Sequence, residues 1–134
     1  VVASADEAGY VRVWIPDDSL KQKHELGVSA APIRDIAFSP DMKFMAIGSD
    51  ARGGYAKVVK YPGGASAGSC AGHQKRVVSI DIRPKAEGAQ AKVISCGEDF
   101  SVGMYVGPPV KETQVPVMLK HHKNFANAAR FAPD

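Results

Sequence analysis

The phrase Asp35-Ile-Ala-Phe-Ser-Pro-Asp41 decides the fold, because the chain repeats it in altered form as Ser79-Ile-Asp-Ile-Arg-Pro84 and Asn127-Ala-Ala-Arg-Phe-Ala-Pro-Asp134. The prolines stand at positions 40, 84 and 133, so the intervals are 44 and 49 residues. Repeats of this length with strand-like content are typical of β-propellers, in which each unit forms one sheet. The sequence therefore predicts an all-β propeller fold.

Short runs of β-branched and apolar residues, separated by turn signals, extend this prediction along the whole chain. The predicted strands are, in chain order, 1–4, 10–15, 21–27, 33–38, 44–48, 55–61, 65–71, 77–82, 92–96, 101–106, 115–119 and 125–131. About twelve strands make about three four-stranded blades. The predicted units are a partial blade at 1–31, blades at 32–71 and 72–120, and the first strand of a further blade at 121–134.

Both ends of the chain lie inside a predicted blade, and the chain begins without Met. We therefore expect a fragment of a longer propeller. A propeller ring takes about four to eight blades, so three blades cannot close one. Strand edges left open invite pairing with other chains, and we expect the fragment to self-associate through its uncovered blades.

Composition describes a soluble globular protein of 134 residues, with 45% hydrophobic and 23% charged residues. The net charge of +3 is too small to indicate nucleic acid as a partner. The chain has no run of 18 apolar residues, so no membrane association is expected. The two cysteines, Cys70 and Cys96, admit a disulfide or a reactive thiol, but their strand-like surroundings favour reduced cysteines of a cytoplasmic protein.

Motifs of catalysis, cofactor binding and metal binding are absent from the sequence. It contains no Gly-x-Ser-x-Gly, no His-Glu-x-x-His and no phosphate-binding loop, because the glycine-rich stretch 63–72 lacks the necessary lysine. The adjacent His121 and His122 have no cysteine, histidine or carboxylate at ligand spacing. We predict a protein that is not an enzyme and holds no cofactor and no metal.

An aromatic residue ends the third strand of each predicted blade, at Trp14, Tyr61 and Tyr105. Together with the pair Gly72-His73, this pattern resembles the WD repeat. In WD-repeat proteins a histidine, a strand Ser or Thr, a turn Asp and the Trp form a hydrogen-bonded chain that stabilises the blade. The resemblance implies the same structural role for His73, Ser95, Asp99 and Tyr105, with tyrosine in place of tryptophan.

Two longer phrases, Gly107-Pro-Pro-Val-Lys111 and His122-Lys-Asn-Phe-Ala-Asn-Ala-Ala-Arg-Phe-Ala-Pro-Asp134, resemble the actin-interacting protein 1 family. These two-propeller WD-repeat proteins help cofilin take actin filaments apart. The resemblance implies a segment of the N-terminal propeller, actin and cofilin as partners, and a place at the cytoskeleton. It also implies that Glu98, Lys111 and Phe125 contact a protein partner.

Each of these three residues also has an ordinary structural interpretation, as a solvated turn glutamate, a free surface lysine and a core phenylalanine. Chain direction places Glu98 and Phe125 on one rim of a propeller. It does not determine on which rim Lys111 lies. Lys120, His121, His122 and Lys123, with Lys75 and Arg76, make an interblade rim locally basic, which would suit an acidic partner surface. The alternative functions are a WD-repeat adaptor in another multiprotein complex and, from a different class, an enzyme or a nucleic-acid module.

Overall fold

Buried and more exposed residues alternate along some strands, such as Tyr10–Trp14, whereas Phe44–Ser49 is almost entirely buried, as expected of a strand whose two faces are both covered. The computed structural model describes residues 1–133, which form eleven β-strands in three antiparallel sheets. The strands are β1 (Val2–Ala5), β2 (Tyr10–Trp14), β3 (Gln22–Gly27), β4 (Ile33–Phe38), β5 (Phe44–Ser49), β6 (Ala56–Lys60), β7 (Ser66–Ser69), β8 (Val77–Arg83), β9 (Lys92–Gly97), β10 (Val102–Val106) and β11 (Val117–Leu119).

Each sheet pairs strands that follow one another in the chain, in the orders β1-β2-β3, β4-β5-β6-β7 and β8-β9-β10-β11. This meander is the arrangement of propeller blades, and it confirms the predicted all-β class with about three blades. The first sheet has three strands, and the other two have four. No helix among residues 1–133 is long and apolar enough to span a membrane.

The segment after β11 differs from the prediction, because residues 125–131 form no strand. A strand requires a ladder to a neighbouring strand, and the amides of this segment are used otherwise. Ala126 N–H donates to the Gly97 carbonyl (3.1 Å), and Ala129 N–H donates to Ser79 Oγ (3.2 Å). The segment is thus held against the third sheet by single hydrogen bonds.

Two apolar cores join the three sheets. One lies between the first and second sheets and includes Val11, Val13, Met45 and Ile47, all fully buried. The other lies between the second and third sheets and includes Val58, Val77, Ile80, Val93 and Tyr105. Each blade is therefore stabilised mainly by its neighbour.

Two glycines allow close approach at the third sheet: Gly48 on the second sheet approaches Val77, and Gly97 approaches Arg76 within the third sheet. A Cβ on Gly48 would lie 2.9 Å from Val77 Cγ1, and a Cβ on Gly97 would lie 2.3 Å from the Arg76 carbonyl oxygen. Neither position has room for a side chain, so backbone contact fixes the distance between the strands there.

The strands end at two opposite surfaces. We call one the turn rim; it is formed by the turns 6–9, 50–55 and 98–101, the connections 28–32 and 70–76, and the chain after β11. The other, the proline end, carries the turns that follow β4, β8 and β10 and contains Pro40, Pro84 and Pro108. The turn rim positions most of the residues considered next.

Candidate protein-binding surface

Glu98 occupies the β9–β10 turn on the turn rim. Its N–H donates to the Arg76 carbonyl (3.2 Å), and its Oε2 lies 3.3 Å from Arg76 Nε. The same Arg76 Nε lies 3.7 Å from Asp50 Oδ1, on the turn of the second sheet. Arg76 thus connects the carboxylates of two neighbouring blades.

Arg34 extends this array on the other side of Asp50. Its guanidinium makes two hydrogen bonds to the Asp50 carboxylate, with Nε 2.8 Å from Oδ1. The Arg34 guanidinium lowers the pKa of Asp50, although burial opposes the shift, and the Asp50 carboxylate in turn raises the pKa of Arg34. The alternating charges Arg34, Asp50, Arg76 and Glu98 therefore run along the rim from the second blade to the third, and we call them the rim charge array.

Phe125 lies at the same rim, in the segment that follows β11. Its neighbour Ala126 is bound to the Gly97 carbonyl, which places Phe125 beside the turn that contains Glu98. The Phe125 ring lies 5.9 Å from the Phe100 ring, centroid to centroid, with a tilt of 43°. Phe125 is 48% exposed and Phe100 is 39% exposed, so the two rings form an apolar pair that faces solvent.

Lys111 is not part of this group. It lies in the connection 107–116, which leaves β10 at the proline end, whereas the turn 98–101 enters β10 at the turn rim. Its side chain is exposed. The structure therefore brings Glu98 and Phe125 together and leaves Lys111 at the opposite end of the blade.

His73, Ser95 and Asp99 are joined in one hydrogen-bonded group beneath the rim. His73 Nδ1 lies 3.0 and 3.1 Å from the two Asp99 oxygens, and His73 Nε2 lies 2.8 Å from Ser95 Oγ. Because the carboxylate only accepts, the proton of a neutral imidazole lies on Nδ1, and the Ser95 hydroxyl donates to Nε2. The group connects the strand-to-strand turn to the chain that enters the blade.

Tyr105 lies in the same blade but is bound elsewhere. Its hydroxyl donates to the Ala71 carbonyl (2.6 Å), and its ring is 2% exposed. The tyrosine thus ties β10 directly to the chain before His73. Burial raises the pKa of Tyr105, so the hydroxyl stays protonated and able to donate.

Burial and hydrogen bonding together determine the charge states of His73 and Asp99. It lowers the pKa of His73, although the Asp99 carboxylate opposes this shift. For Asp99, burial acts to raise the pKa, but hydrogen bonds from Ser101 and from the Gln74 amide, with the nearby His73, lower it overall. A neutral histidine on an ionised aspartate is therefore the state at neutral pH. Such a group holds a turn in place and offers no reactive atom to solvent, since the His73 side chain is 1% exposed.

Both cysteines are free and buried. Burial raises the pKa of Cys70 to about 12 and also raises the pKa of Cys96. A protonated, buried thiol is a poor nucleophile. The structure thus supports the interpretation of reduced cysteines inside the sheets.

Positive charge surrounds the rim charge array. Arg52 and Lys75 are exposed and, with Asp50, Arg76 and Glu98, line a shallow cavity. Lys120, His121, His122 and Lys123 follow β11 at the same rim and are also exposed. Within residues 1–133, no group of three histidine, cysteine or carboxylate side chains could hold a metal ion.

A larger cavity of about 670 Å³ lies at the proline end, between the second and third blades. It is lined mainly by apolar residues, among them Phe44, Ile82 and Pro108, with Asp41 and Lys85 at its border. It is separate from Glu98 and Phe125.

Two parts of the rim were not predicted from the sequence, namely Phe100 and the rim charge array. Phe100 adopts a φ of +66°, a conformation rare for a bulky residue, and sequence gives no signal that a phenylalanine stands there. Arg34 and Glu98 are far apart in the chain, and only the packing of neighbouring blades puts them in one array.

Comparison with known proteins agrees with this architecture. The chain is 35% identical over 134 residues to actin-interacting protein 1-2 of Arabidopsis thaliana, an alignment that covers 99% of this chain. It is 30% identical over 136 residues to WD repeat-containing protein 1 of Bos taurus and 29% identical over 137 residues to actin-interacting protein 1 of Drosophila melanogaster, each again over 99% of this chain.

No protein-family model matches the chain. The chain spans 21% of the length of each of these three relatives. The blade arrangement and the near-complete alignments agree: the chain has the fold of a WD-repeat β-propeller fragment and is similar to actin-interacting protein 1.

Proposed function

We propose that this chain acts as a non-catalytic protein-binding scaffold that promotes cofilin-assisted disassembly of actin filaments. The names of its relatives associate them with actin. The observation that carries the proposal is the position of Glu98 and Phe125, which share the turn rim beside an exposed aromatic neighbour. Aromatic side chains are enriched in protein interfaces, where they bury large apolar areas.

The proposed mechanism depends on binding alone. The turn rim engages an actin filament decorated with cofilin and favours a filament state that severs or does not regrow. Because a ligand shifts an equilibrium only by its differential affinity for the two states, the rim must bind the altered filament more tightly than the bare one. The chain would then act in the cytoplasm, at the cytoskeleton.

The rim is suited to this task because its charges are fixed before a partner arrives. The rim charge array holds Arg76 and Glu98 in defined positions, and backbone contacts at Gly97 fix the turn that carries Glu98. A surface already ordered in the free protein loses little conformational entropy on binding. In this proposal the two blades 32–71 and 72–120 both contribute residues to the binding surface at the turn rim.

A second candidate function is a WD-repeat adaptor in another multiprotein complex. One observation favours it: Lys111 lies at the proline end, so the three residues carried over from the resemblance do not form one surface. A partner other than cofilin-decorated actin would use Glu98 and Phe125 without Lys111.

Co-sedimentation with cofilin-decorated actin filaments tests the proposal, using this chain and a longer polypeptide that contains the same residues. We expect Phe125→Ala and Glu98→Lys to reduce the pelleted fraction. The matched controls are Val115→Ala, which removes an apolar side chain 90% exposed in the connection before β11, and Glu87→Lys, which reverses an exposed charge in the loop after β8.

Binding that both rim variants weaken and both controls leave unchanged supports actin disassembly through the turn rim. If the folded protein stays in the supernatant at every cofilin concentration, the adaptor function replaces it. Lys111→Ala tests whether the proline end contributes to filament binding. Loss of pelleting in this variant would show that it does.

A further inference from the structure

Phe100 is the most unusual residue of the turn rim. Its φ of +66° lies in the left-handed region, where a bulky side chain is disfavoured and glycine or asparagine is common. Nevertheless its ring stands 39% exposed, next to Phe125. Residues held in such conformations concentrate at binding sites, where the surrounding structure maintains them.

The surrounding structure does maintain this turn. Asp99 accepts hydrogen bonds from the Ser101 amide (3.2 Å), which follows Phe100, and from the Gln74 amide (3.0 Å) in the connection 70–76, so its carboxylate binds the turn to a second segment. His73 contacts the same carboxylate from below. The ring of Phe100 is thereby presented to solvent by a rigid turn.

On the turn rim, the carboxylates of the shallow cavity are paired with arginines, whereas several cations have no carboxylate partner. Asp50 and Glu98, the carboxylates of the shallow cavity, are already engaged by Arg34 and Arg76. Within residues 1–133, four exposed cations of the rim have no carboxylate within 4.0 Å: Arg52, Lys75, Lys120 and Lys123. Free positive charge therefore lies on the same rim as the apolar pair.

We propose that Phe100 and Phe125 form an apolar step that receives one apolar side chain of a protein partner, while Arg52 and Lys75 bind acidic residues that flank it. The partner is thus an acidic protein segment with an apolar anchor. Opposite charges at the border of an interface speed encounter and select partners, and a central aromatic contact supplies most of the affinity. This inference rests on the proposed function only in placing the partner at the same rim.

The test uses a fluorescein-labelled synthetic peptide of Glu and Asp with one central Leu, and its counterpart with Gln and Asn in place of the acids. Fluorescence anisotropy with the full chain should rise for the acidic peptide and weaken with added salt, because exposed charges are screened. Lys75→Glu should weaken binding at least about fivefold, whereas Lys60→Glu, an exposed charge reversal at the proline end, should leave it unchanged.

Phe100→Gly tests the apolar step without endangering the fold, since glycine adopts a φ of +66° without strain. We expect this variant to weaken binding of the acidic peptide at least about fivefold while keeping its thermal stability. Equal binding of the two peptides, absence of an anisotropy change, or parent-like binding by Phe100→Gly and Lys75→Glu would overturn the inference.

Co-sedimentation of the same variants with filaments distinguishes the proposed role in actin disassembly from the proposed surface for an acidic segment. Peptide binding without filament binding would retain the acidic-segment surface and reject actin disassembly. Filament binding that is lost in Phe125→Ala but unchanged in Phe100→Gly and Lys75→Glu would retain the proposed function and reject this inference.

Discussion

Arg130 donates to Asp35 across 3.0 Å, although the two residues are 95 positions apart in the chain. Asp35 lies on β4, and the same carboxylate accepts a hydrogen bond from the Ile80 amide on β8 (2.8 Å). Arg130 also donates to Ser79 Oγ and to the Ile80 carbonyl. One guanidinium therefore connects the C-terminal segment, the third blade and the second blade.

Arg130→Ala should release the C-terminal segment. We expect faster hydrogen–deuterium exchange at the amides of Ala126, Ala129 and Phe131, which are bound to Gly97, Ser79 and Asp81. The loss of global stability should be about 1 kcal/mol, because the side chain is 55% exposed and its bonds compete with water. The matched control is Arg52→Ala; equal exchange in both variants would contradict a role for Arg130.

His73 should make folding sensitive to mild acid. Burial lowers its pKa in the folded state, so the unfolded chain binds the proton more readily. The free energy of unfolding should therefore be fully retained above the ordinary histidine pKa of 6.5 and should decrease as the pH falls below it. Denaturant titrations between about pH 5 and 7.5 measure this slope around that value.

The variant His73→Gln distinguishes the contribution of His73 to the pH dependence of stability from that of the other three histidines. It should be less stable than the parent chain at pH 7.5, because Ser95 and Asp99 lose their shared partner, but its stability should change less below pH 6.5. An unchanged slope in the variant would assign the acid sensitivity to another group.

Tyr105→Phe should destabilise the third blade. Removal of the hydroxyl leaves the Ala71 carbonyl without its donor at a part-buried site, at a cost of about 0.5–1.5 kcal/mol. The control is Tyr10→Phe, whose ring is 40% exposed and whose hydroxyl change should be nearly neutral. Chemical denaturation of both variants gives the comparison, and equal midpoints would argue against a stabilising Tyr105 bond.

Gly97→Ala should be more harmful than its small size suggests. The added Cβ would lie 2.3 Å from the Arg76 carbonyl oxygen, and relief of this overlap requires backbone movement at a cost of about 1–3 kcal/mol or more. Gly63→Ala is the matched control, because nothing lies within 4 Å of its added Cβ. Thermal melts should separate the two, with the control close to the parent chain.

The first sheet presents β1 as an outer strand, and Val2 on it is 53% exposed. We expect the chain to self-associate through this edge in a concentration-dependent way, and Val2→Lys to weaken the association. Sedimentation velocity over a range of concentrations measures it. A single monomeric species at all concentrations would exclude self-association.

The repeat phrase predicted the blade strands well, since the prediction 33–38 matches Ile33–Phe38 and 77–82 falls within Val77–Arg83. Local pattern carries this information, because alternation and turn residues determine strands within a few positions. Residues 125–131, predicted as a strand, form none in the structure, since sequence shows that a segment is able to form a strand but not whether a partner strand is there. Contacts such as Arg130 to Asp35 depend on the stacking of blades, which no local pattern records.

The candidate site was predictable in part. Chain direction placed Glu98 and Phe125 on one rim. In the structure both lie at the turn rim, Glu98 in the turn 98–101 and Phe125 next to Ala126, which is bound to Gly97. The side of Lys111 could not be derived, because it depends on the path of the connection 107–116. Phe100 was missed since its conformation is set by the hydrogen bonds of Asp99, from residues in two different segments.

The close approach at Gly48 and Gly97 has a consequence for genetic variation. The turn rim takes its residues from two blades; Gly48 allows β5 to approach β8 of the next blade, and Gly97 allows the close pairing of β9 with the chain at Arg76, next to Glu98. A methyl group at either position would alter the separation of Asp50 and Glu98 without touching any partner. Such a variant would look like an interface mutation in a binding assay, although the altered residue is buried.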